Sequence, residues 1–301
     1  MGIERFVQGP RSFARGLTRP FGGGRKEKTA FVLSGGGVLG AIQVGQIEAL
    51  FDAGIFPDLL CAASVGAINA AGIAAEPTMA GIDRMKQSWA SLRTEDIFPG
   101  TRMQRAWHFV AKGDHLYANS GIRRLADMVP VHSIEHMTIP LSINAANLRT
   151  GKEHWFSSGA LAPAILASTA LPGIFPPVMV DGELYVDGGV VNNVPVSRAV
   201  ELGATKIYVL TCGAAKPAAR PIRRPLDVLM QAVTQSRAAA VELDIARYAQ
   251  KAEIVVLPVP DTGPVRFTDP TKSAHLMKLG YDAARDYLAG ESITVGAVSA
   301  L

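Results

Sequence analysis

Short apolar runs rich in branched residues alternate along the chain with longer stretches of helical periodicity. Residues 29–34 (TAFVLS) predict a buried strand that runs straight into Gly35-Gly36-Gly37. Helical spacing starts near Leu39, continues through Ile42, Gly45, Ile47, Ala49 and Leu50, and stops at Gly54. Residues 59–63 predict a second strand, and 65–75 a helix of small residues able to pack closely on a sheet. An amphipathic helix is expected over 79–92, and shorter helices over 102–112 and 120–129, with Ser120 as N-cap. Strands at 139–146 and 154–157 flank the turn Arg149-Thr150-Gly151-Lys152, and a helix covers 161–168. Pro172, Pro176 and Pro177 then exclude regular structure. Strands at 178–180 and 183–186 enclose Asp181-Gly182, a two-residue hairpin signal. Beyond it come a helix including 199–202, a strand at 206–211, a basic Pro-rich loop at 217–225, a long helix at 226–251, a strand at 254–259 and a helix at 274–288. Such alternation predicts an α/β fold with a mostly parallel central sheet covered on both faces. The apolar stretch 59–75 is broken by Ser64, Gly66, Asn69 and Gly72 and reads as strand, turn and helix rather than a membrane span.

Composition changes this picture at the N-terminus. Of 301 residues, 48% are hydrophobic and 19% charged, enough for one large core domain. Residues 1–28 carry Arg5, Arg11, Arg15, Arg19, Arg25, Lys26 and Lys28 against Glu4 and Glu27, so this arm holds the whole excess behind the net charge of +4. It lacks the apolar core of a secretory signal. Met1-Gly2 opens like an acylation signal, but Phe6 stands where Ser or Thr is needed. The arm reads as a solvated tail or as a peripheral contact to anionic membrane. The expected division is an arm at 1–28, a catalytic domain at 29–290 and a tail at 291–301. The expected location is cytoplasmic or at the membrane periphery, with no nucleic-acid partner. Cys61 and Cys212 each adjoin an apolar run and read as buried thiols of a reducing compartment. Neither they nor His108, His115, His132, His136 and His154 show metal-ligand spacing, so no metal or cofactor is expected.

Three local patterns carry chemistry. In strand–Gly35-Gly36-Gly37-Val38-Leu39-Gly40–helix, consecutive glycines free several N–H groups to face one point beside a helix N-terminus. That arrangement binds an anion, either a phosphate or a tetrahedral oxyanion. The dinucleotide reading fails because the next strand ends in Ala63-Ser64 rather than an acid, and the Walker-loop reading fails because no Lys-Ser/Thr follows the glycines. In strand–Ala62-Ala63-Ser64-Val65-Gly66–helix, Ser64 sits as in a nucleophile elbow, with Ala62 in place of the usual first glycine. A capping or buried serine is the plainer alternative. Asp187-Gly188-Gly189 follows the hairpin strand, where Asp is either a turn residue or a carboxylate presented at a strand end.

Taken together and in this order, the patterns resemble the bacterial branch of the patatin-like phospholipase family. Residues 167–177 (ASTALPGIFPP) and 187–195 (DGGVVNNVP) resemble it too, and the likeness runs from about 29 to 259. The resemblance implies a three-layer α/β/α patatin-like fold and a serine hydrolase of lipid acyl esters. It implies Ser64 as nucleophile, Asp187 as general base and the Gly35, Gly36 and Gly37 N–H groups as oxyanion hole. Gly40, Gly66, Gly188 and Gly189 would support the motifs. Two positions depart from the pattern: Ala62 in the elbow, and Leu39 where the family commonly carries Arg or Lys.

Two rivals remain at this stage. A Ser-Asp-His triad would need a late histidine, and His275 is the one that follows Asp187. A non-catalytic lipid- or partner-binding protein is motivated by Ala62 and Leu39. Segment 80–130 supplies Met85, Met103, Trp107, Phe109 and Met128 as an acyl-pocket wall or as ordinary core.

Overall fold

Among the described residues, eight strands form one sheet: β1 (Thr29–Leu33), β2 (Leu59–Ala63), β3 (Leu141–Asn147), β4 (Glu153–Phe156), β5 (Val178–Val180), β6 (Glu183–Asp187), β7 (Lys206–Leu210) and β8 (Glu253–Val256). The computed structural model describes residues 27–100, 115–213, 225–263, 265 and 269–290. Residues 1–26, the helix expected at 102–112, most of the 217–225 loop and the 291–301 tail lie outside the described residues.

Strands β1, β2, β3, β7 and β8 are parallel, while β4, β5 and β6 join antiparallel. Hydrogen-bonded neighbours run β5-β6-β3-β2-β1-β7-β8, and β4 also pairs with β3. Residues of β1 alternate between two apolar clusters. Phe31 and Leu33 join Leu60, Ala62, Tyr208 and Leu210 on one face, whereas Ala30 and Val32 join Leu59, Cys61, Ile207 and Val209 on the other. This period of two explains why the central strands read as unbroken apolar runs: both faces are covered.

The first face is covered by helices α1 (Gly40–Asp52), α2 (Val65–Ala75), α3 (Met79–Ser91), α4 (Ser120–Asp127) and α5 (Leu161–Ser168). The second face packs on α6 (Val196–Glu201) and α7 (Pro225–Tyr248). A last helix, α8 (Ser273–Leu288), lies against α1. The layers are therefore helix, sheet, helix. Cys61 and Cys212 are buried and free, and burial pushes both thiols up to about 12.

Departures from expectation are local. A 3-10 turn over Gly37–Leu39 delays α1 to Gly40. Asn119, not Ser120, occupies the N-cap of α4, and its side chain makes no capping bond. Two further turns, Thr94–Ile97 and Ile134–His136, are too short to show a period. Asp181 and Gly182 have φ of 49° and 79°, the paired positive angles of a tight hairpin turn.

Strand β3 sets up the centre of the molecule. Ala145 and Ala146 pair with β4 and with β6, so those two strands lie on opposite edges of β3. Ile143 and Asn144 pair with β2 and with β4, which puts β2 opposite β4 as well. Strands β2 and β6 therefore share one edge of β3, running toward each other. Ala63 pairs with Asn144 and Asp187 with Ala145, so the two tips meet at consecutive positions.

Helices α1 and α8 approach closely because their contact is built of glycine. A Cβ on Gly45 would overlap the Met277 carbonyl, and one on Gly280 the Ile42 carbonyl. Substitution Gly45→Ala is expected to lower stability by about 1–3 kcal/mol through overpacking, read by chemical denaturation.

Candidate active site

Ser64 is the first residue beyond β2 and has φ 54° and ψ −129°. That left-handed geometry strains a residue with a Cβ by about 1–3 kcal/mol. The surroundings hold it in place. Its N–H donates to Ser168 Oγ at 2.9 Å, at the end of α5, and its carbonyl accepts from Ala67 N at 2.8 Å. Gly66 allows the start of α2 to press on the end of β1, since a Cβ there would sit 2.5 Å from Leu33 O and 2.7 Å from Ser34 O. The chain thus turns sharply from strand to helix and leaves Ser64 at the carboxyl end of a central strand.

Asp187 ends β6, where only 2% of its surface is exposed. Ser64 Oγ donates to Asp187 Oδ2 at 2.6 Å across 123 residues of sequence. Gly189 N donates to Oδ1 at 2.8 Å, and Arg237 Nη2 of α7 stands 3.6 Å from the same oxygen. Burial pushes the Asp187 carboxyl above the usual aspartate range. The Arg237 charge, the Ser64 hydroxyl and the Gly189 N–H pull the other way without cancelling it.

The glycine loop lies beside this pair. A Cβ on Gly35 would be 2.8 Å from Ser64 Cβ and 2.7 Å from Asn193 Oδ1. Gly36 lies against Cys212, and Gly37 adopts φ 60°. Among the described residues, nothing accepts a hydrogen bond from the N–H groups of these three glycines. Gly40 packs on Val65, and Gly188 on the Asn144 carbonyl.

A buried polar network fixes the loop from below. Gln43 Nε2 donates to Ser34 O and Leu210 O, both at 2.9 Å. Asn69 Nδ2 donates to Gln43 Oε1 and Gly40 O at 2.9 Å, and Trp89 Nε1 to Asn69 Oδ1 at 2.9 Å. Across the site, Asn144 Nδ2 donates to Gly188 O at 3.0 Å and Asn192 O at 2.9 Å, tying the Asp-Gly-Gly turn to β3.

The structure thus brings together Ser64, Asp187, Gly35, Gly66, Gly188 and Gly189. His275 is exposed near the start of α8 and bonds neither Ser64 nor Asp187. Among the described residues, no three His, Cys, Asp or Glu side chains group as metal ligands. Met85 packs against core residues and Gly72, while Met128 is largely exposed. Met103, Trp107 and Phe109 lie outside the described residues.

Both departures are absorbed by packing. Ala62 is fully buried in the core cluster with Leu33 and Leu60, and its φ is not positive, so that position does not need glycine. Leu39 packs against an apolar cluster of Val65, Trp89 and Leu276. Six polar contributors escape sequence reasoning: Ser168, Asn144, Asn193, Arg237, Gln43 and Asn69. Ser168 and Asn193 fall inside the segments that resemble the family, which was the available signal. Asn144 lies in an apolar strand and Arg237 in a long helix, where nothing marks them.

Comparison with known proteins adds the lineage. The family model described as patatin-like phospholipase matches residues 31–200. Patatin-like phospholipase domain-containing protein 7 of Rattus norvegicus is 30% identical over 193 residues, 61% of this chain and 13% of that protein. Lysophospholipase nte1 of Aspergillus terreus is 28% identical over 191 residues, 60% of this chain and 12% of that protein. An NTE family protein of Mycobacterium bovis is 31% identical over 186 residues, 60% of this chain and 48% of that protein. The match therefore spans about an eighth of the two eukaryotic relatives and about half of the mycobacterial one. Among solved structures, VipD from Legionella pneumophila aligns with 89% of this chain and 67% of its own, at a TM-score of 0.45 and 14% identity.

Two stability measurements test this geometry. Ser64→Gly and Ser64→Ala both remove the hydroxyl, but only glycine relieves the positive φ. The glycine variant is expected to be the more stable by about 1 kcal/mol in denaturant titrations. Asp187 is raised in the folded state, so its favourable contribution is complete below the unfolded aspartate range and is lost as pH rises through its folded value. Asp187→Asn is therefore expected to melt above wild type at neutral pH, with the gap closing as the medium is acidified.

Proposed function

Because the chain belongs to the patatin-like phospholipase family, we propose that it hydrolyses acyl esters of lipids through a Ser64–Asp187 dyad. The observation that carries this function is the 2.6 Å contact between Ser64 Oγ and Asp187 Oδ2. Residues 29–290 then form the catalytic domain, and the basic arm at 1–28 offers a contact to anionic membrane.

Ser64 Oγ attacks the ester carbonyl carbon as its proton passes to Asp187 Oδ2. The carbonyl oxygen becomes an oxyanion facing the N–H groups of Gly35, Gly36 and Gly37. One such donor typically lowers a barrier of this kind by about 3 kcal/mol. Collapse of the tetrahedral species expels the alcohol, which takes the proton from Asp187 and leaves an acyl group on Ser64. Water then attacks the acyl carbon, Asp187 accepts its proton, and the fatty acid departs with Ser64 reprotonated. An aspartate in water has a pKa of roughly 4, low for a base near neutrality. Burial raises Asp187 and so improves it as a base.

The direct Ser64–Asp187 bond leaves no place for a histidine between them, which favours a dyad over the His275 triad. The non-catalytic alternative loses its motive once Ala62 and Leu39 are seen to be packed as apolar residues.

A short p-nitrophenyl ester and a fluorophosphonate probe test the assignment. Ser64→Ala and Asp187→Asn are each expected to cut hydrolysis by at least about a thousandfold. Ser64→Ala is expected to abolish labelling, and His275→Ala to leave turnover unchanged. Wild-type turnover in either dyad variant would refute the mechanism. A panel of phospholipids, lysophospholipids and monoacylglycerols then defines the preferred headgroup and chain length.

A further inference from the structure

Arg237 is a half-buried cation whose Nε and Nη2 are enclosed and unused at the edge of the dyad. Its side chain is 17% exposed, and Nη2 stands 3.6 Å from Asp187 Oδ1, the oxygen turned away from Ser64. Among the described residues, its Nε and Nη2 have no hydrogen-bond partner. An arginine kept only for framework strength would ordinarily spend its planar fork on paired hydrogen bonds, because buried donors left unmade are costly. Space for the guanidinium comes from Gly189. A Cβ there would lie 3.0 Å from Arg237 Cζ, 2.9 Å from Asp187 Oδ1 and 2.5 Å from Asn193 Oδ1. The second glycine of Asp187-Gly188-Gly189 is thus the gap through which α7 brings a charge to the carboxylate.

Among the described residues, the other groups set against Asp187 are uncharged. Ser64 and Gly189 donate to it, β3 offers Asn144 and Ala145, and α5 offers Ser168. Beyond β3, strand β4 carries Glu153, which accepts from Asn192, and His154, which burial holds below the usual histidine range. Arg237 is the charge that acts on Asp187. The glycine loop contributes none, since Leu39 is apolar and packed.

We propose that Arg237 is a positioning residue of the dyad, holding Asp187 as a carboxylate with Oδ2 aimed at Ser64. This role rests on the Ser64–Asp187 chemistry proposed above. A carboxylate buried without a counter-charge would take up a proton and donate to Ser64 instead of accepting from it. The arginine prevents this through Oδ1 and leaves Oδ2 to the Ser64 hydroxyl.

The test is the pH dependence of kcat/KM for a p-nitrophenyl ester in wild type, Arg237→Gln and Arg237→Lys, with fluorophosphonate labelling measured in parallel. Arg237→Gln is expected to move the acidic limb upward by about 1–3 pH units, as for an aspartate that loses an adjacent arginine. Its activity above the displaced limb should return to within several-fold of wild type. Arg237→Lys keeps a charge and should keep the limb near its wild-type place. An unmoved limb in Arg237→Gln overturns the inference, as does a loss equal at every pH or failure of both variants to fold. Wild-type protein that shows no Ser64-dependent labelling would refute the dyad itself. Normal wild-type labelling with an unmoved limb would refute the arginine's role alone.

Discussion

One edge of β3 receives two strands from opposite directions, and the candidate chemistry depends on that shared edge. Strand β2 arrives parallel and stops at Asn144; β6 arrives antiparallel and stops at Ala145. Ladder hydrogen bonds fix both registers, so the residues beyond each tip have little freedom in where they point. Ser64 continues β2 and Asp187 closes β6. Their contact follows from strand pairing, not from a flexible loop finding its partner.

The surrounding polar groups make that contact rigid. Ser64 holds an unfavourable backbone angle, which persists only because Ser168, Gly66 and the α2 start all constrain it. The glycine loop is tied at its two ends by one buried chain of amides from Trp89 through Asn69 to Gln43. With these fixed donors and acceptors in place, little reorganisation is left for a reaction to drive, which is the physical basis of electrostatic preorganisation. Arg237 stands in the same framework, at the carboxylate oxygen that Ser64 does not use.

Much of this was legible in the sequence because the elements that place the site are strongly patterned. Buried strands such as 29–33 and 59–63 announce themselves by unbroken apolar runs. Asp181-Gly182 announces its turn because this residue pair tolerates the positive angles that the structure shows. Ser64 and Asp187 stood out because each lies between a strand and glycine. Pairing register did not show: nothing in 141–147 tells that two other strands dock end to end on its edge. Nor did the polar supports, since Asn144, Asn69 and Gln43 interrupt apolar segments without any period, and Arg237, one of two arginines on a 24-residue helix, has no local signature. Those residues acquire meaning only from contacts made across the fold. Ser120 does not cap α4 because it is already the first residue of the helix, with Asn119 in the N-cap place.

The hairpin that delivers Asp187 has a consequence for how such a chain can diverge. Between the tight turn at Asp181-Gly182 and Asp187 lie only the strand residues themselves, beginning at Glu183. Deleting or inserting a single residue there would turn the carboxylate to the opposite side of the sheet. The excursion between α2 and β3, by contrast, attaches outside the ladder and can lengthen or shrink without disturbing either tip. Indels should therefore accumulate in the excursion and be purged from the hairpin strand, so that homologues of very different size keep the same four-residue spacer, Glu183 to Val186, ahead of the carboxylate.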